Sequence, residues 1–170
     1  MDEKELIIYS NPTNANAAHF ALIKAIEDAH HGCVLFVDCI NGFDPYQVLK
    51  LCANPPQARQ ILHNVLVSRP FTFHQFKRLL DTELASTFDR HQGRAVIILG
   101  YTNLFLDSDV AEEERLAVLG TATKKLHSLV IEHPLPVQVM LSENAYSELV
   151  RGWLDGADRT VVSTSRGKRI

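Results

Sequence analysis

The chain has 170 residues, 46% of them hydrophobic, and a formal net charge of −3. This suits one globular domain spanning 1–170 with a proper core, and it argues against a wholly basic nucleic-acid binder while leaving room for a local basic patch. No apolar run approaches the ~20 residues needed to cross a bilayer, and Met1-Asp2-Glu3-Lys4-Glu5 is too acidic to open a signal peptide. Cys33, Cys39 and Cys52 are odd in number and lack C-x-x-C spacing. They read as reduced core thiols, so the expected location is a reducing cytoplasm without membrane attachment.

Short β-branched runs alternate with longer helical patterns. Leu6-Ile7-Ile8-Tyr9 is the first predicted strand, with a helix over 14–29 whose cap is Asn14 or Asn16. Gly32 leads into Cys33-Val34-Leu35-Phe36-Val37-Asp38, a near-continuous apolar run expected of a strand covered on both faces. Gly42 and Pro45 punctuate the entry to a helix through 46–49, and 61–67 reads as a weaker third strand. Phe73, Phe76, Leu80, Leu84 and Phe88 recur at steps of three and four, predicting one helix over 72–90. Ala95-Val96-Ile97-Ile98-Leu99 is the clearest buried strand.

A long helix follows over 110–132, with Glu112, Glu113 and Glu114 early and Lys124 and Lys125 late, as the helix dipole favours. Val137-Gln138-Val139-Met140-Leu141 is a further strand, 143–154 a last helix, and 159–164 a final strand. Strand–helix alternation from end to end predicts an α/β protein of three layers, α/β/α, with a mostly parallel central sheet.

The loop after the first strand, Ser10-Asn11-Pro12-Thr13-Asn14-Ala15-Asn16-Ala17, has the length and position of a phosphate-binding loop. A working one reads G-x-x-x-x-G-K-[ST], where glycines turn backbone N–H groups toward the phosphates, Lys adds charge and a hydroxyl holds Mg²⁺. Those four positions here are Ser10, Ala15, Asn16 and Ala17. Taken alone, an Asn-rich strand-to-helix turn is a commonplace connection. Asn11, Thr13, Asn14 and Asn16 can either hydrogen-bond a small anion at the helix start or satisfy their own loop.

Four segments in order carry a resemblance. Residues 34–45, Val-Leu-Phe-Val-Asp-Cys-Ile-Asn-Gly-Phe-Asp-Pro, resemble the second core strand and turn of the RecA/RadA recombinase superfamily, roughly hhYIDTEGxFxP. Residues 66–75, Leu-Val-Ser-Arg-Pro-Phe-Thr-Phe-His-Gln, are similar to its hhARAxNxxHQ segment. The strand at 95–99 stands where the Walker B strand would be. Residues 157–169, through Arg166-Gly167-Lys168-Arg169, resemble its closing strand and basic turn. The resemblance covers nearly the whole chain and implies a RecA-like core.

It also implies which ATPase groups are replaced. The position of the catalytic Glu is Ile40, that of the Walker B carboxylate is Gly100, and the γ-phosphate-sensing Gln falls near Glu143. With Asn16 and Ala17 in the loop, phosphate binding, metal binding and water activation are lost together. Each is worth several kcal/mol of charge stabilisation in a working site. Asp38 survives, as a Mg²⁺ ligand or as a turn residue. The expectation is a protein that is not an enzyme, binds no nucleotide and takes no cofactor.

Other chemistry finds little footing. The eight histidines form neither H-x-x-x-H nor H-E-x-x-H, and there is no G-x-S-x-G elbow. Asp107, Asp109 and Glu112–114 read as a solvated helix start, with cation chelation as the alternative. At the places of the two recombinase DNA loops stand the acidic 106–109 and the short 142–145, which would repel or miss a phosphate backbone. The basic tail Arg166, Lys168 and Arg169 is the remaining candidate for weak DNA contact, its other reading being a solvated terminus.

The chain starts almost at its first core strand, so self-polymerisation through a preceding linker strand is not expected. The family precedent is a recombinase paralogue, an accessory factor in DNA recombination or repair that binds as a homodimer or to a RecA-like ATPase. The alternative is a KaiC-like signalling or regulatory scaffold. Tyr101 and Phe105, just past the buried strand, are the candidate interface aromatics; otherwise both cover the end of the core.

Overall fold

The structure, a computed structural model, describes residues 6–10, 15–28, 32–52, 55–132, 137–140 and 159–162. In chain order these are β1 (Leu6–Ser10), α1 (Ala15–Asp28), β2 (Cys33–Asp38), α2 (Pro45–Leu51), α3 (Pro55–His63) and β3 (Val65–Ser68). There follow α4 (Phe73–Arg78), a π-helical turn (Leu79–Glu83), α5 (Leu84–Arg90), β4 (Gly93–Leu99) and a 3₁₀ helix (Tyr101–Leu106). The last described elements are α6 (Glu112–Glu132), β5 (Val137–Met140) and β6 (Arg159–Val162).

The six strands form one sheet in the order β3-β2-β4-β5-β1-β6, and each neighbouring pair is parallel. Parallel neighbours need crossovers, and helices accordingly cover both faces. On one face, Ala18, Leu22 and Ile26 of α1, Val48 of α2 and Ile61 of α3 pack with Val34, Phe36, Ala95, Ile97 and Leu99. On the other, Phe73, Phe76, Leu80, Leu84, Phe88 and Leu126 pack with Leu35, Val37, Val96, Ile98, Val137 and Val139. The strict alternation along β2 and β4 is the two-residue period of a strand buried on both sides.

The five-residue stripe from Phe73 to Phe88 is wholly buried, but its helix is not continuous. Three successive four-residue steps, from Phe76 to Phe88, drift about 40° each in an α-helix. The wider π turn between α4 and α5 unwinds part of that drift and returns Leu84 and Phe88 to the sheet. Thr82 and Ser86 donate to carbonyls in or just before this turn, at 2.9 Å to Arg78 and 3.0 Å to Glu83.

Asp81, inside the turn, accepts from Lys77 at 2.8 Å and from Lys125 of α6, tying the two elements together. The Lys125 and Lys77 hydrogen bonds hold the Asp81 carboxyl below its ordinary range. A depressed folded-state value stabilises above the ordinary carboxylate range and loses that contribution as pH falls. Asp81→Asn is therefore expected to cause a small stability loss at neutral pH that shrinks in high salt and closes below about pH 4. Denaturant titrations of both proteins at several pH values check this.

Two expected elements change. Residues 61–63 are the last turn of α3, not strand, and β3 begins at Val65. α3, absent from the sequence reading, opens on Pro55-Pro56 and buries Ala58 and Ile61 at helical spacing. The expected helix 143–154 lies outside the described residues, and of the final strand 159–164 the described part is β6.

Because all strands run the same way, their C-terminal ends share one edge. The loops 39–44, 69–72 and 100–111 gather there, after β2, β3 and β4. This is the edge at which open α/β sheets hold ligands.

Candidate functional site

Asp38 ends β2 with its side chain fully buried. Its Oδ1 accepts from the N–H of Gly42 at 2.8 Å and of Ile40 at 3.4 Å, and its Oδ2 from the N–H of Phe43 at 2.9 Å. Arg69 Nε, arriving from the end of β3, donates to the same Oδ2 at 3.4 Å. The carboxylate is thus the acceptor around which the 39–44 loop winds, with Asn41 in the left-handed region at φ +55°. Four donors occupy it, which favours the turn role over the Mg²⁺ role.

The loop has a second anchor. His19 lies on the buried stripe of α1, its ring 6.2 Å from Phe36 and 5.7 Å from Phe43. Its Nε2 accepts the N–H of Asp44 at 2.9 Å, so Nε2 is the unprotonated nitrogen of a neutral ring. Asp44 in turn caps α2 by accepting from Tyr46 N–H at 2.8 Å, with Pro45 in the first turn. Sequence reasoning passed over His19 and Arg69 as loop anchors. The readable signal for His19 was its place beside Ala18, Leu22 and Ile26 on one helical face.

Ile40 and Gly100, where the resemblance leads one to expect carboxylates, face each other across the ends of β2 and β4. Gly100 adopts φ +70°, and a Cβ built on it would overlap Cγ2 of Ile40. The ladder continues beneath them, with Cys39 N–H donating to Leu99 C=O at 2.9 Å. An isoleucine side chain therefore occupies the space over Gly100, where a carboxylate at either position would need room and solvation.

Tyr101 and Phe105 are core residues. Tyr101 is wholly buried, stacked on Phe76 at 5.5 Å, and Phe105 meets it edge-on at 5.7 Å. Phe105 also packs edge-on against Phe73 at 5.2 Å. This corrects the expectation that Tyr101 presents an exposed interface aromatic; the 3₁₀ helix, which the sequence reading missed, turns both rings inward. Arg115 of α6 fixes that helix by donating from Nη1 to Phe105 C=O at 2.9 Å.

Ser10 closes β1 in register with Val162 of β6. Asn16 and Ala17 have helical backbone in the first turn of α1. Asn11, Thr13 and Asn14 lie outside the described residues, as do Glu143 and the tail residues Arg166, Lys168 and Arg169. The acidic group forms a turn and a helix start, with Asp109 N–H donating to Asp107 Oδ1 at 3.0 Å and Glu112, Glu113 and Glu114 in the first turn of α6. Among the described residues no three His, Cys, Asp or Glu side chains cluster as metal ligands. Cys33, Cys39 and Cys52 are free thiols, and burial pushes all three above the ordinary thiol range, Cys39 the furthest. None has the lowered value of a nucleophile.

Fold and edge together define an α/β protein with an all-parallel described sheet, whose C-terminal edge is built from buried loop anchors and apolar contacts. No helix among the described residues is long and apolar enough to cross a membrane. No protein-family model matches the chain, and no curated protein is significantly similar to it.

Proposed function

We propose that this is a RecA-fold protein without ATPase chemistry that acts by binding another protein, as an accessory factor in DNA recombination or repair. The observation that carries the reading is the Ile40–Gly100 contact. The two positions where the resemblance calls for carboxylates are filled by one apolar side chain and one glycine, packed on each other. The surviving Asp38 is engaged by Arg69 and three backbone N–H groups. A site so arranged offers neither a base for water nor an oxygen ligand for Mg²⁺. The recombination setting rests on the four ordered segments of the resemblance, and binding is the activity left where the described residues assemble no catalytic constellation.

Purified protein is expected to turn over no ATP, and millimolar ATP, ADP or Mg²⁺ to leave its melting temperature unchanged, since a ligand stabilises only a state it binds. Turnover surviving controls for contaminating ATPases, or a nucleotide-dependent rise of several degrees, would overturn the reading. Gly100→Asp, alone or with Ile40→Glu, is expected to restore no turnover. Gly100→Asp alone should cost about 2–4 kcal/mol, from positive-φ strain and overlap with Ile40.

A further inference from the structure

We infer that the C-terminal edge of β3, β2 and β4 is a docking surface for a basic, apolar segment of another protein. The inference rests on the binding role proposed above and names the chemistry of the partner. Each of the three loops at this edge exposes one large apolar side chain: Phe71 after β3 (62% exposed), Ile40 after β2 (40%) and Leu106 after β4 (48%). Adjacent strands lie ~4.8 Å apart, so the three strand ends span only about 10 Å. The Phe73–Phe105 contact further draws the loop after β3 toward the 3₁₀ helix after β4. Apolar groups exposed on adjoining loops of one sheet edge mark interaction sites more often than scattered single residues do.

The border of this surface decides what covers it. Asp109, Glu112, Glu113 and Glu114 are exposed and Asp107 partly so. His74 Nδ1 lies 4.0 Å from Glu114, which places the acidic turn against the start of α4, beside Phe71. Among the described residues the nearby cations are already engaged: Arg69 with Asp38, Arg115 with the Phe105 carbonyl and Lys77 with Asp81. A second copy would bring the same edge, whose described cations Arg69 and Arg115 are already engaged, and so offers these carboxylates no counter-charge. A nucleic acid would meet repulsion through its phosphates. A segment with a few apolar side chains flanked by Lys or Arg complements both the centre and the border.

The test uses the full chain and two labelled amphipathic peptides of about 18 residues, five helical turns, one of Leu and Lys and one of Leu and Glu. Fluorescence anisotropy is expected to show binding of the Leu/Lys peptide, weakened about tenfold or more from low to high salt, and none of the Leu/Glu peptide. Phe71→Glu with Leu106→Glu should abolish binding without lowering the melting temperature, because both side chains are exposed. A second variant, Glu112→Lys with Glu113→Lys and Glu114→Lys, should reverse the peptide preference.

Absence of Leu/Lys binding, or binding that neither variant alters, would overturn the inference. So would wild-type self-association in sedimentation, or single-stranded DNA binding, that the Phe71 and Leu106 substitutions remove. ATP turnover would instead overturn the proposed function, and that assay is independent of the peptide result.

Discussion

Tyr101→Ala is expected to cost about 3–5 kcal/mol of folding stability, the range for removing a large buried aromatic ring. Tyr101 is fully buried between Phe76 and Phe105, in a group of four rings that includes Phe73. Truncation removes the centre of that group, and close-packed neighbours can refill the space only in part. Against a typical total of about 5–15 kcal/mol, the variant sits near the edge of folding. Leu106→Ala, at an exposed position only five residues away, should change stability by no more than about 0.5 kcal/mol. Urea titrations of the two variants give the contrast directly. Equal stabilities would mean that Tyr101 is not a core residue.

The second large effect is expected at Asp38. Asp38→Ala removes the acceptor for the N–H groups of Ile40, Gly42 and Phe43 and leaves Arg69 without its partner. Leaving the three backbone donors without a charged acceptor is expected to cost about 2–4 kcal/mol, while Arg69, whose side chain is 39% exposed, turns to water. Asp38→Asn keeps the shape and one acceptor oxygen, but turns an NH₂ toward donors, so a loss of about 1.5–3 kcal/mol is expected. Hydrogen exchange locates the damage: the amides of 40–44 should lose protection in Asp38→Ala while those of β4 keep theirs. If Mg²⁺ raises the stability of the wild type and not of Asp38→Asn, the turn assignment fails and a metal role is restored.

Strands β2 and β4 were legible in the sequence because a strand covered on both faces has to be a short, nearly unbroken apolar run. The Phe73–Phe88 stripe was legible as buried, and its repeated steps of four already carried the π turn for a reader who summed the angles. Residues 61–67 misled because Ile61, Leu62, Val65, Leu66 and Val67 are dense enough in apolar groups to satisfy either period. The break between helix and strand is Asn64, whose C=O accepts from Val34 N–H at 2.8 Å, a long-range contact that no local pattern reveals.

At the candidate site, Ile40 and Gly100 were picked out as replaced positions, but their mutual contact depends on which strands are neighbours, and β2 and β4 are far apart in the chain. Tyr101 was misplaced for a related reason. Six residues of 3₁₀ helix after a strand leave no apolar period, so its inward turn shows only once the sheet is assembled.

The place of β1 in the sheet has a consequence for biosynthesis. Leu6 pairs with Val137 and Ile7 with Arg159, so the earliest of these strands to leave the ribosome has both its neighbours among the latest. The β3-β2-β4 half can assemble while synthesis continues, but β1 must wait, with its apolar run Leu6-Ile7-Ile8-Tyr9 unpaired, until β5 and β6 emerge. At about 5–20 residues per second that wait lasts roughly 6 to 30 seconds. Over that interval the nascent chain offers a strand with open edges to any chaperone or aggregating neighbour, and a synonymous change that slows translation between β4 and β6 would lengthen it.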